Sequence, residues 1–228
     1  MIKAVFFDMD GVLYDSMGHH AHSWSKAFAE AGIRYSEADA YQNEGRTSTG
    51  TIQLMYQKHY GRPATPEEVE NIYNRKSQLV NEMPKARILP GIQDFINTIR
   101  TGGIDIYVVT GSKQPSLLDR LEHDFGVCPS KVVSGKDVTR EKPHPEPYLR
   151  ALEKSGLQPH GAMVVENAPL GVQSAKSARL FTVAVNTGPL PDGTLKDSGA
   201  DIVLQGTNAL QPNWKLIRSL FSAHWHLS

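Results

Sequence analysis

Residues 3–13 read Lys3-Ala4-Val5-Phe6-Phe7-Asp8-Met9-Asp10-Gly11-Val12-Leu13. This stretch decides the fold, because its apolar run predicts a buried strand of a parallel sheet, where helices cover both faces. The strand should end at Asp8, and Gly11 lets the chain turn sharply soon afterwards. Asp8 and Asp10 are therefore expected at the carboxyl end of a strand, where open α/β sheets bind their ligands.

The chemistry open to these two carboxylates depends on what surrounds them. At such close range they repel each other unless a cation or a shared proton lies between them. One can act as a nucleophile and the other as an acid and base, provided that their environments differ. A lone Asp-x-Asp sequence is more simply a loop with two solvated acids, so the choice depends on the rest of the chain.

The composition is that of a soluble globular protein. The chain has 228 residues, of which 39% are hydrophobic and 21% charged, enough for one domain or for a domain with an insertion. Lys plus Arg and Asp plus Glu both number 24, which argues against nucleic acid or an anionic membrane as the main partner. Cys128 is the only cysteine, and neither a signal peptide nor a membrane-spanning run is evident. We therefore expect a cytoplasmic monomer.

Helix signals dominate residues 16–84. Ser16 is a candidate N-cap for the first helix, and Ser36 begins a capping-box sequence. Thr65-Pro66 starts a further helix, with proline at its first position. No strand pattern interrupts this segment, so we predict a helical cap domain over residues 16–84, inserted after the first strand.

The remaining residues, 1–15 and 85–228, alternate between strand and helix patterns. Such alternation predicts a parallel sheet with right-handed crossovers. The fold class is therefore α/β, with a Rossmann-like parallel sheet core that carries the helical cap. Beyond the last predicted strand, Thr207 is expected to cap a terminal helix that reaches Leu220.

Polar residues follow the predicted strands at the points where they end. Thr110-Gly111-Ser112 follows the second long strand, Lys142 lies in a later loop, and Glu166-Asn167 ends a further strand. Because the carboxyl ends of parallel strands share one edge, these residues should meet Asp8 and Asp10 there. Thr110 and nearby backbone amides can hold phosphate oxygens, Lys142 can neutralise charge, and carboxylate and amide oxygens suit Mg²⁺.

Four motifs in this order resemble those of the haloacid dehalogenase superfamily, and most closely its β-phosphoglucomutase-like phosphotransferases. They are Asp8-Met9-Asp10-Gly11-Val12-Leu13, Val109-Thr110-Gly111-Ser112, Lys142-Pro143 and Val165-Glu166-Asn167-Ala168-Pro169-Leu170-Gly171-Val172. The resemblance covers almost the whole chain. It implies that Asp8 is a nucleophile that forms an aspartyl phosphate, and that Asp10 protonates the leaving group and then activates water. Dehalogenases of the family lack an acid at the second position, so Asp10 favours phosphoryl chemistry.

The same resemblance implies the remaining site residues and the cofactor. Thr110 and Lys142 would complete the catalytic set, and Mg²⁺ would be held by Asp8, Asp10, Glu166 and Asn167, with Glu166 in contact either directly or through water. His20, Trp24 and Lys76 match cap positions of the mutases, where the histidine and lysine organise the closed site. The predicted substrate-binding residues are therefore Gly111, Ser112, His20, Arg46 and Lys76. Without the resemblance, His20 is a helix histidine and Lys76 a charge on a solvated helix face.

Two departures from the family pattern bear on the substrate. Mutase-like members carry an acidic pair in the fourth motif, whereas the second acid position here is Asn167, so the site loses one negative charge. The cap loop reads Glu44-Gly45-Arg46. We hypothesise that Glu44 reaches the Mg²⁺ when the cap closes and restores the missing carboxylate; the ordinary alternative is a surface loop acid.

A cap residue on the metal would fill space that a hexose needs, which favours a very small and highly charged substrate. The prediction is therefore a Mg²⁺-dependent phosphohydrolase that acts through an aspartyl phosphate on a small phosphorylated substrate. Inorganic pyrophosphate is the expected substrate, since the loop also resembles an inorganic-pyrophosphatase branch. Three alternatives stay open: a β-phosphoglucomutase, a general sugar-phosphate phosphatase, and a non-catalytic phosphate sensor on the same scaffold.

Overall fold

A computed structural model of the chain describes residues 1–112 and 116–226. Within these residues a six-stranded sheet has the order β3-β2-β1-β4-β5-β6, and every neighbouring pair is parallel. The strands are β1 Ala4–Phe7, β2 Asp105–Val109, β3 Val132–Val133, β4 Ala162–Glu166, β5 Phe181–Val185 and β6 Ile202–Leu204. The predicted α/β class with a Rossmann-like parallel sheet is confirmed.

Strand β1 lies in the middle of the sheet and is fully buried, as its apolar sequence predicts. Phe7 pairs with Val108 of β2 on one side and with Val165 of β4 on the other. The three strands therefore end at the same edge, and the residues that follow them lie side by side. This register places Asp8 at the centre of the carboxyl edge.

Between β1 and residue 85, all of which is described, four helices follow one another and no strand forms. They are α1 Met17–Glu30, α2 Glu37–Gln42, α3 Ser48–Tyr60 and α4 Pro66–Asn81. Their apolar faces share one cluster around Trp24, Phe28, Ile52 and Ile72, separate from the clusters on the sheet. This arrangement has the form of the predicted helical cap, while its boundaries at residues 16 and 84 remain predictions.

The other helices cover the two faces of the sheet. They are α5 Ile92–Thr101, α6 Ser116–Phe125, α7 Glu146–Ser155, α8 Pro169–Ser177, α9 Asp192–Asp197 and α10 Trp214–His226. Phe95 of α5 and Phe221 of α10 pack in the cluster on one face. Tyr148 of α7 and Ala175 of α8 pack on the other. Among the described helices, none has both the length and the apolar character needed to span a bilayer.

Helix N-cap residues predicted the helix starts correctly in the inserted cap domain but not near the end of the chain. Ser36 forms a capping box with Asp39, as predicted, and Thr65 begins α4 at the predicted helix start, where it forms a second capping box with Glu68. The prediction that Thr207 caps a terminal helix is wrong, because its hydroxyl donates to the carbonyl of Pro90. A single turn of 3₁₀-helix forms there instead, and α10 begins at Trp214 and extends to His226.

Candidate active site

Lys142 lies at the centre of the candidate site, buried at the carboxyl edge of the sheet. Its ammonium donates to Asp8 Oδ1 at 2.6 Å and to Glu166 Oε1 at 2.7 Å. The carbonyl oxygen of Val109 accepts a third, longer bond at 3.3 Å. Burial alone would lower the pKa of Lys142, but Asp8 and Glu166 raise it well above its ordinary value. The structure thus joins three of the predicted residues in one buried ion cluster.

Glu166 binds Lys142 and positions it. Its Oε1 accepts from Lys142 and from the hydroxyl of Tyr148 at 2.8 Å. Its Oε2 accepts from the backbone N–H groups of Asn167 at 2.9 Å and Ala168 at 3.2 Å. Both oxygens are thereby saturated with protein donors. Whether Glu166 also acts on a metal, directly or through water, stays a prediction.

Two residues that sequence reasoning missed complete this cluster. Tyr148 of α7 is fully buried, and its hydroxyl binds Glu166. Gly171 of α8 allows the carboxylate to approach, because a Cβ at that position would lie 1.8 Å from Glu166 Oε1. A buried tyrosine on a helix looks like an ordinary core residue in sequence, so Tyr148 gives no signal of its own.

Asp8 is buried, with one oxygen on Lys142 and the other, Oδ2, without a hydrogen-bond partner. Burial raises the pKa of Asp8 to about 8; Lys142 acts against this rise, whereas Glu166 and Asp10 add to it. A cation next to this carboxylate would favour the charged form that a nucleophile needs.

The side chain of Asn167 also indicates that a cation binds next to Asp8. Its Oδ1 and Nδ2 are both buried and neither has a hydrogen-bond partner, which is costly for an amide. Asp8 Oδ2 and Asn167 Oδ1 are hard oxygen donors of the kind that Mg²⁺ takes. Within the described residues, no three carboxylate, imidazole or thiol groups could hold a metal among themselves. The site therefore fits Mg²⁺ only with the amide oxygen and with water or substrate oxygens as further ligands.

Asp10 is held by two residues at the start of the cap. Ser16 Oγ donates to Asp10 Oδ1 at 2.5 Å, and His20 Nε2 lies 3.3 Å from the same oxygen. Burial alone would raise the pKa of Asp10, but His20, Ser16 and Lys76 outweigh it, so the pKa lies below its ordinary value. Ser16 occupies the N-cap position of α1 as predicted, yet its hydroxyl binds Asp10 and makes no side-chain cap bond.

Lys76 of α4 supports His20 from behind. Its ammonium lies 3.1 Å from His20 Nδ1 and 5.3 Å from the centre of the Trp24 ring. Burial lowers the pKa of Lys76, although Asp10 and Glu44 act in the opposite direction. An ammonium donor at Nδ1 selects the imidazole form that carries its hydrogen on Nε2, toward Asp10. His20 and Lys76 thus act on the predicted acid–base residue.

The loop between α2 and α3 brings the cap onto the core. Gly45 has φ +88°, a backbone conformation that favours glycine. A Cβ there would also lie 2.9 Å from Lys142 Cδ, so the close packing against Lys142 requires glycine as well. Glu44 lies on this loop and lines the same cavity as Asp10. Burial, Asp10 and Asp8 together raise the pKa of Glu44 well above its ordinary value. The structure therefore places Glu44 near the carboxylates that it was predicted to join.

Glu141, which sequence reasoning also missed, connects the core to the beginning of α3. Its Oε2 accepts from the backbone N–H of Thr47 at 2.7 Å, and Oε1 lies 3.8 Å from Arg46 Nη1. Glu141 directly precedes Lys142 in the chain, so one short loop contacts both Asp8 and the cap. In sequence it appears only as one charge in a polar loop.

The loop after β2 supplies the remaining predicted residues. Thr110 is buried, and its hydroxyl accepts from the backbone N–H of Ser112 at 3.1 Å. Gly111 lies close to the cap, since a Cβ there would be 3.6 Å from the carbonyl oxygen of Gly45. The hydrogen bond between Ser112 and Thr110 shapes the loop, in which Gly111 and Ser112 line the cavity.

A cavity of about 450 Å³ lies between the core and the cap. Its volume is within the range of about 300–1,000 Å³ that is usual for sites of small organic ligands. Asp10 and all of the predicted substrate-binding residues line it: Gly111, Ser112, His20, Arg46 and Lys76. Trp24, Val69 and Tyr73 add an apolar wall on the cap side.

Known proteins resemble this chain over most of its length. A family model for haloacid dehalogenase-like hydrolases matches residues 2–179. Hexitol phosphatase A of Escherichia coli is 28% identical over 222 residues, which cover 94% of this chain and 98% of that protein. The β-phosphoglucomutase of Bacillus subtilis is 25% identical over 218 residues, or 92% of each chain.

A solved structure resembles the whole fold. It is described as "Putative beta-phosphoglucomutase from Bacteroides vulgatus", and it superimposes with a TM-score of 0.91 at 44% sequence identity. The match covers 96% of this chain and 90% of the other. The resemblance thus extends over both the sheet and the helical insertion.

Proposed function

Because the chain belongs to the haloacid dehalogenase-like hydrolases, in their β-phosphoglucomutase-like group, we propose that it takes a phosphoryl group from a sugar phosphate onto Asp8 and then transfers it to water. The family membership makes it an enzyme of the phosphatase and phosphotransferase type. A sugar or sugar-alcohol phosphate is favoured because relatives include a hexitol phosphatase and a β-phosphoglucomutase.

One observation carries this proposal. Two carboxylates at the end of β1 have different partners: Lys142 holds Asp8, whereas Ser16 and His20 hold Asp10. Asp10 also lines a cavity large enough for a sugar. A buried nucleophile next to a separately controlled acid is the arrangement that covalent phosphoryl transfer requires.

In the first step, a carboxylate oxygen of Asp8 attacks the phosphorus atom and the bond to the sugar oxygen breaks. Asp10 gives its proton to that oxygen, so the sugar leaves as a neutral alcohol. Lys142 keeps Asp8 in place and neutralises part of the negative charge near the phosphoryl group. His20 and Ser16 fix the direction in which Asp10 points.

In the second step, Asp10 takes a proton from water, whose oxygen attacks the phosphorus of the aspartyl phosphate. The bond between the phosphorus and Asp8 breaks, inorganic phosphate leaves, and both carboxylates return to their starting states. A mutase would differ only here, since a sugar hydroxyl would replace water as the acceptor. Closure of the cap, including Gly45 over Lys142, would decide which acceptor enters.

Asp8 and Asn167 would hold Mg²⁺, because both present a buried oxygen without another partner. When bound, this cation supplies positive charge to the phosphoryl oxygens and lowers the barrier to attack. Its position next to Asp8 would also keep that carboxylate charged.

Pyrophosphate, the substrate predicted from the sequence, finds no support in the relatives named above. The cavity is also larger than two linked phosphoryl groups need. Pyrophosphate stays a second candidate substrate because Glu44 lies near Asp8 and Asp10, which raise the pKa of Glu44. Substitution Glu44→Gln tests it: unchanged Mg²⁺ dependence and turnover would remove this candidate.

The experiment that tests the proposal is a comparison of substrates in the presence of Mg²⁺. Phosphate release should be measured from sorbitol 6-phosphate, glucose 6-phosphate, β-glucose 1-phosphate and pyrophosphate. We expect release from one or more of the sugar phosphates to exceed release from pyrophosphate. Substitution Asp8→Asn should abolish this release while the circular dichroism spectrum and melting temperature stay those of a folded protein.

Two outcomes would contradict the proposal. Retained turnover in Asp8→Asn would overturn the nucleophile. Conversion of β-glucose 1-phosphate to glucose 6-phosphate, primed by a trace of glucose 1,6-bisphosphate and without net phosphate release, would replace hydrolysis with the mutase reaction.

A further inference from the structure

The chain between Met9 and Tyr14 folds into a closed turn that carries Asp10. The backbone N–H of Gly11 donates to the carbonyl oxygen of Tyr14 at 2.8 Å, and the N–H of Tyr14 donates to the carbonyl oxygen of Met9 at 3.2 Å. Asp10 and Tyr14 also pair in a short parallel bridge. The position of the Asp10 backbone relative to Asp8 therefore depends on where Tyr14 is held.

The side chain of Tyr14 is buried and fixed by three residues of α6. Its hydroxyl donates to Asp124 Oδ2 at 3.0 Å, and the centre of its ring lies 3.7 Å from Arg120 Cζ. The ring of Phe125 packs against it, with 5.5 Å between the ring centres. Arg120 Nε in turn donates to Asp124 Oδ2 at 3.2 Å. We call Tyr14, Arg120 and Asp124 the tyrosine clamp.

The hydrogen bond inside the tyrosine clamp has a fixed direction. Burial alone would raise the pKa of Asp124, but hydrogen bonds from His123, Tyr14 and Arg120 outweigh it, so the pKa lies below its ordinary value. Burial and the bond to Asp124 raise the pKa of Tyr14. The phenol therefore stays a donor and the carboxylate an acceptor at neutral pH.

Arg120 also contacts the second chain segment that joins the sheet to the helical insertion. Its Nη2 donates to the carbonyl oxygen of Ala86. The next carbonyl, that of Arg87, accepts from the backbone N–H of Asp15 at 2.8 Å, so the segments entering and leaving the insertion are paired there. The tyrosine clamp thus holds both segments at the point where they meet.

We propose that Tyr14 is a positioning residue for Asp10, which the tyrosine clamp keeps at the distance from Asp8 where its proton reaches the departing sugar oxygen. The nucleophile is held separately, by Lys142 and by its place directly after β1. A shift of the turn would therefore misplace the acid and leave the nucleophile where it is. This inference rests on the proposed function, and it deepens that function by adding a residue that acts on its acid.

The positioning role predicts a dependence on the leaving group. A sugar oxygen needs the proton of Asp10 in order to leave, whereas acetate and p-nitrophenolate leave as stable anions. Asp8 attacks phosphorus and the bond to the leaving oxygen breaks in every case. A residue that positions only the acid should therefore affect sugar phosphates far more than acetyl phosphate or p-nitrophenyl phosphate.

The test compares kcat/KM, with Mg²⁺ present, for the best sugar phosphate and for the two activated phosphates. This parameter covers the steps up to departure of the leaving group, before Asp10 acts on water. Tyr14→Phe removes the bond to Asp124 and keeps the ring. Arg120→Met removes the guanidinium, and with it the contacts to the ring, to Asp124 and to Ala86.

Tyr60→Phe is the matched control for the loss of a tyrosine hydroxyl. The hydroxyl of Tyr60 also makes a hydrogen bond, at 2.8 Å, but to the carbonyl oxygen of Ala31 in the helical insertion. The melting temperature of each variant shows whether it is folded under the conditions of the assay.

We expect Arg120→Met to lower kcat/KM for the sugar phosphate by at least about tenfold and Tyr14→Phe by about threefold, because a small misplacement of a general acid costs much of its effect. For the activated phosphates the change should stay below about twofold in both variants. Tyr60→Phe should leave all three values unchanged. A merely structural role would lower the turnover of every substrate alike, in proportion to the folded fraction.

An equal loss on all substrates in the folded variants, or no loss on the sugar phosphate in either, would overturn this inference and leave the proposed function intact. Failure of the wild-type protein to release phosphate from any sugar phosphate would instead overturn the proposed function, and this inference with it.

Discussion

Asp8 and Asp10 are two residues apart, yet their surroundings shift their pKa values in opposite directions. Burial raises the pKa of Asp8, whereas contacts to His20 and Ser16 outweigh burial and lower that of Asp10. The proposed roles need the reverse, a charged nucleophile and a protonated acid. A cation at Asp8 favours its charged form, and an incoming phosphoryl group next to Asp10 raises the pKa of that acid by repulsion. Substrate and cation together would thus produce the protonation states that the proposed roles require.

Gly45 is the residue through which the cap touches Lys142, and this contact leads to a prediction. Gly45→Ala should lower phosphate release by at least about tenfold, because the new methyl group meets Lys142 Cδ at 2.9 Å and displaces the loop over the nucleophile. The measurement is kcat/KM on the best sugar phosphate.

Gly61→Ala is the matched control for the backbone strain of this change. Gly61 also has a positive φ, at +67°, but a Cβ there meets nothing within 4 Å. Both variants should lose about 1–2 kcal/mol of unfolding free energy, and only Gly45→Ala should lose activity. Equal loss of activity in the two would mean that strain in the cap, and not contact with Lys142, is responsible.

At the scale of elements, the loop that leads into α7 carries Glu141 and Lys142 and is closed by the first residue of that helix. The carboxylate of Glu146 accepts from the backbone N–H groups of Thr139 and Arg140, both at 2.9 Å, and from the Thr139 hydroxyl. These bonds fold the loop back on the helix. The loop that presents Lys142 to Asp8 is therefore held in place by the first residue of α7.

This loop closure predicts a pH-dependent stability. The Thr139 and Arg140 N–H groups lower the pKa of Glu146 to about 2, from about 4.5 in an unfolded chain. A lowered pKa stabilises the folded state above the unfolded value and ceases to do so as the pH falls through the folded one. Glu146→Gln should therefore unfold more easily than wild type at pH 7, with the difference shrinking below pH 4.5 and vanishing near pH 2. Urea unfolding across this range measures it.

Glu153→Gln is the control on the same helix, since Glu153 is exposed and pairs only with Arg150 among the contacts of the described chain. It should match wild type throughout. A difference between Glu146→Gln and wild type that persists unchanged at pH 2 would contradict the assignment to the carboxylate.

Elements that depend on local chemistry were predictable from sequence, and those that depend on distant partners were not. Ser36 and Thr65 satisfy N–H groups three residues away, so their capping boxes can be read directly. Thr207 has the same chemistry, but its hydroxyl finds Pro90, more than a hundred residues away, and the terminal helix starts later. The pattern of β1 was decisive because burial on both faces leaves no polar position.

At the scale of the whole molecule, the sequence predicted which side chains meet but not what each one does there. The strand-end rule brought Asp8, Thr110 and Asn167 to one edge. The rule could not show that both carboxylate oxygens of Glu166 accept hydrogen bonds from protein donors, or that the Tyr148 hydroxyl is one of these donors. Nor could it find Glu141, because a contact between core and cap depends on how two separately formed units pack.

The cluster of buried carboxyl groups between the core and the cap predicts a response to magnesium. Asp8, Asp10 and Glu44 lie near one another with Asn167 unpaired, so a bound divalent cation should stabilise the fold. At a hundred times its dissociation constant, Mg²⁺ should add about 2.7 kcal/mol, or on the order of 5–10 °C in melting temperature. Differential scanning calorimetry with and without Mg²⁺ measures the shift.

Asn167→Ala should reduce this shift, and Asp105→Asn, which changes an exposed acid, should not. A chelator that stops phosphate release without changing the melting temperature would argue that the cation comes only with the substrate. An equal shift in Asn167→Ala and wild type would remove Asn167 from the metal site.

The central place of β1 in the sheet also has a consequence for how the protein is made. Its neighbours are β2 and β4, and Val165, which pairs with Phe7, leaves the ribosome about 160 residues later. At about 5–20 residues per second, the apolar strand waits roughly 8–30 seconds for its second partner. Asp8, which follows β1 directly, thus reaches its final surroundings only after β4 has been synthesised, and nascent chains should depend on chaperones during that interval.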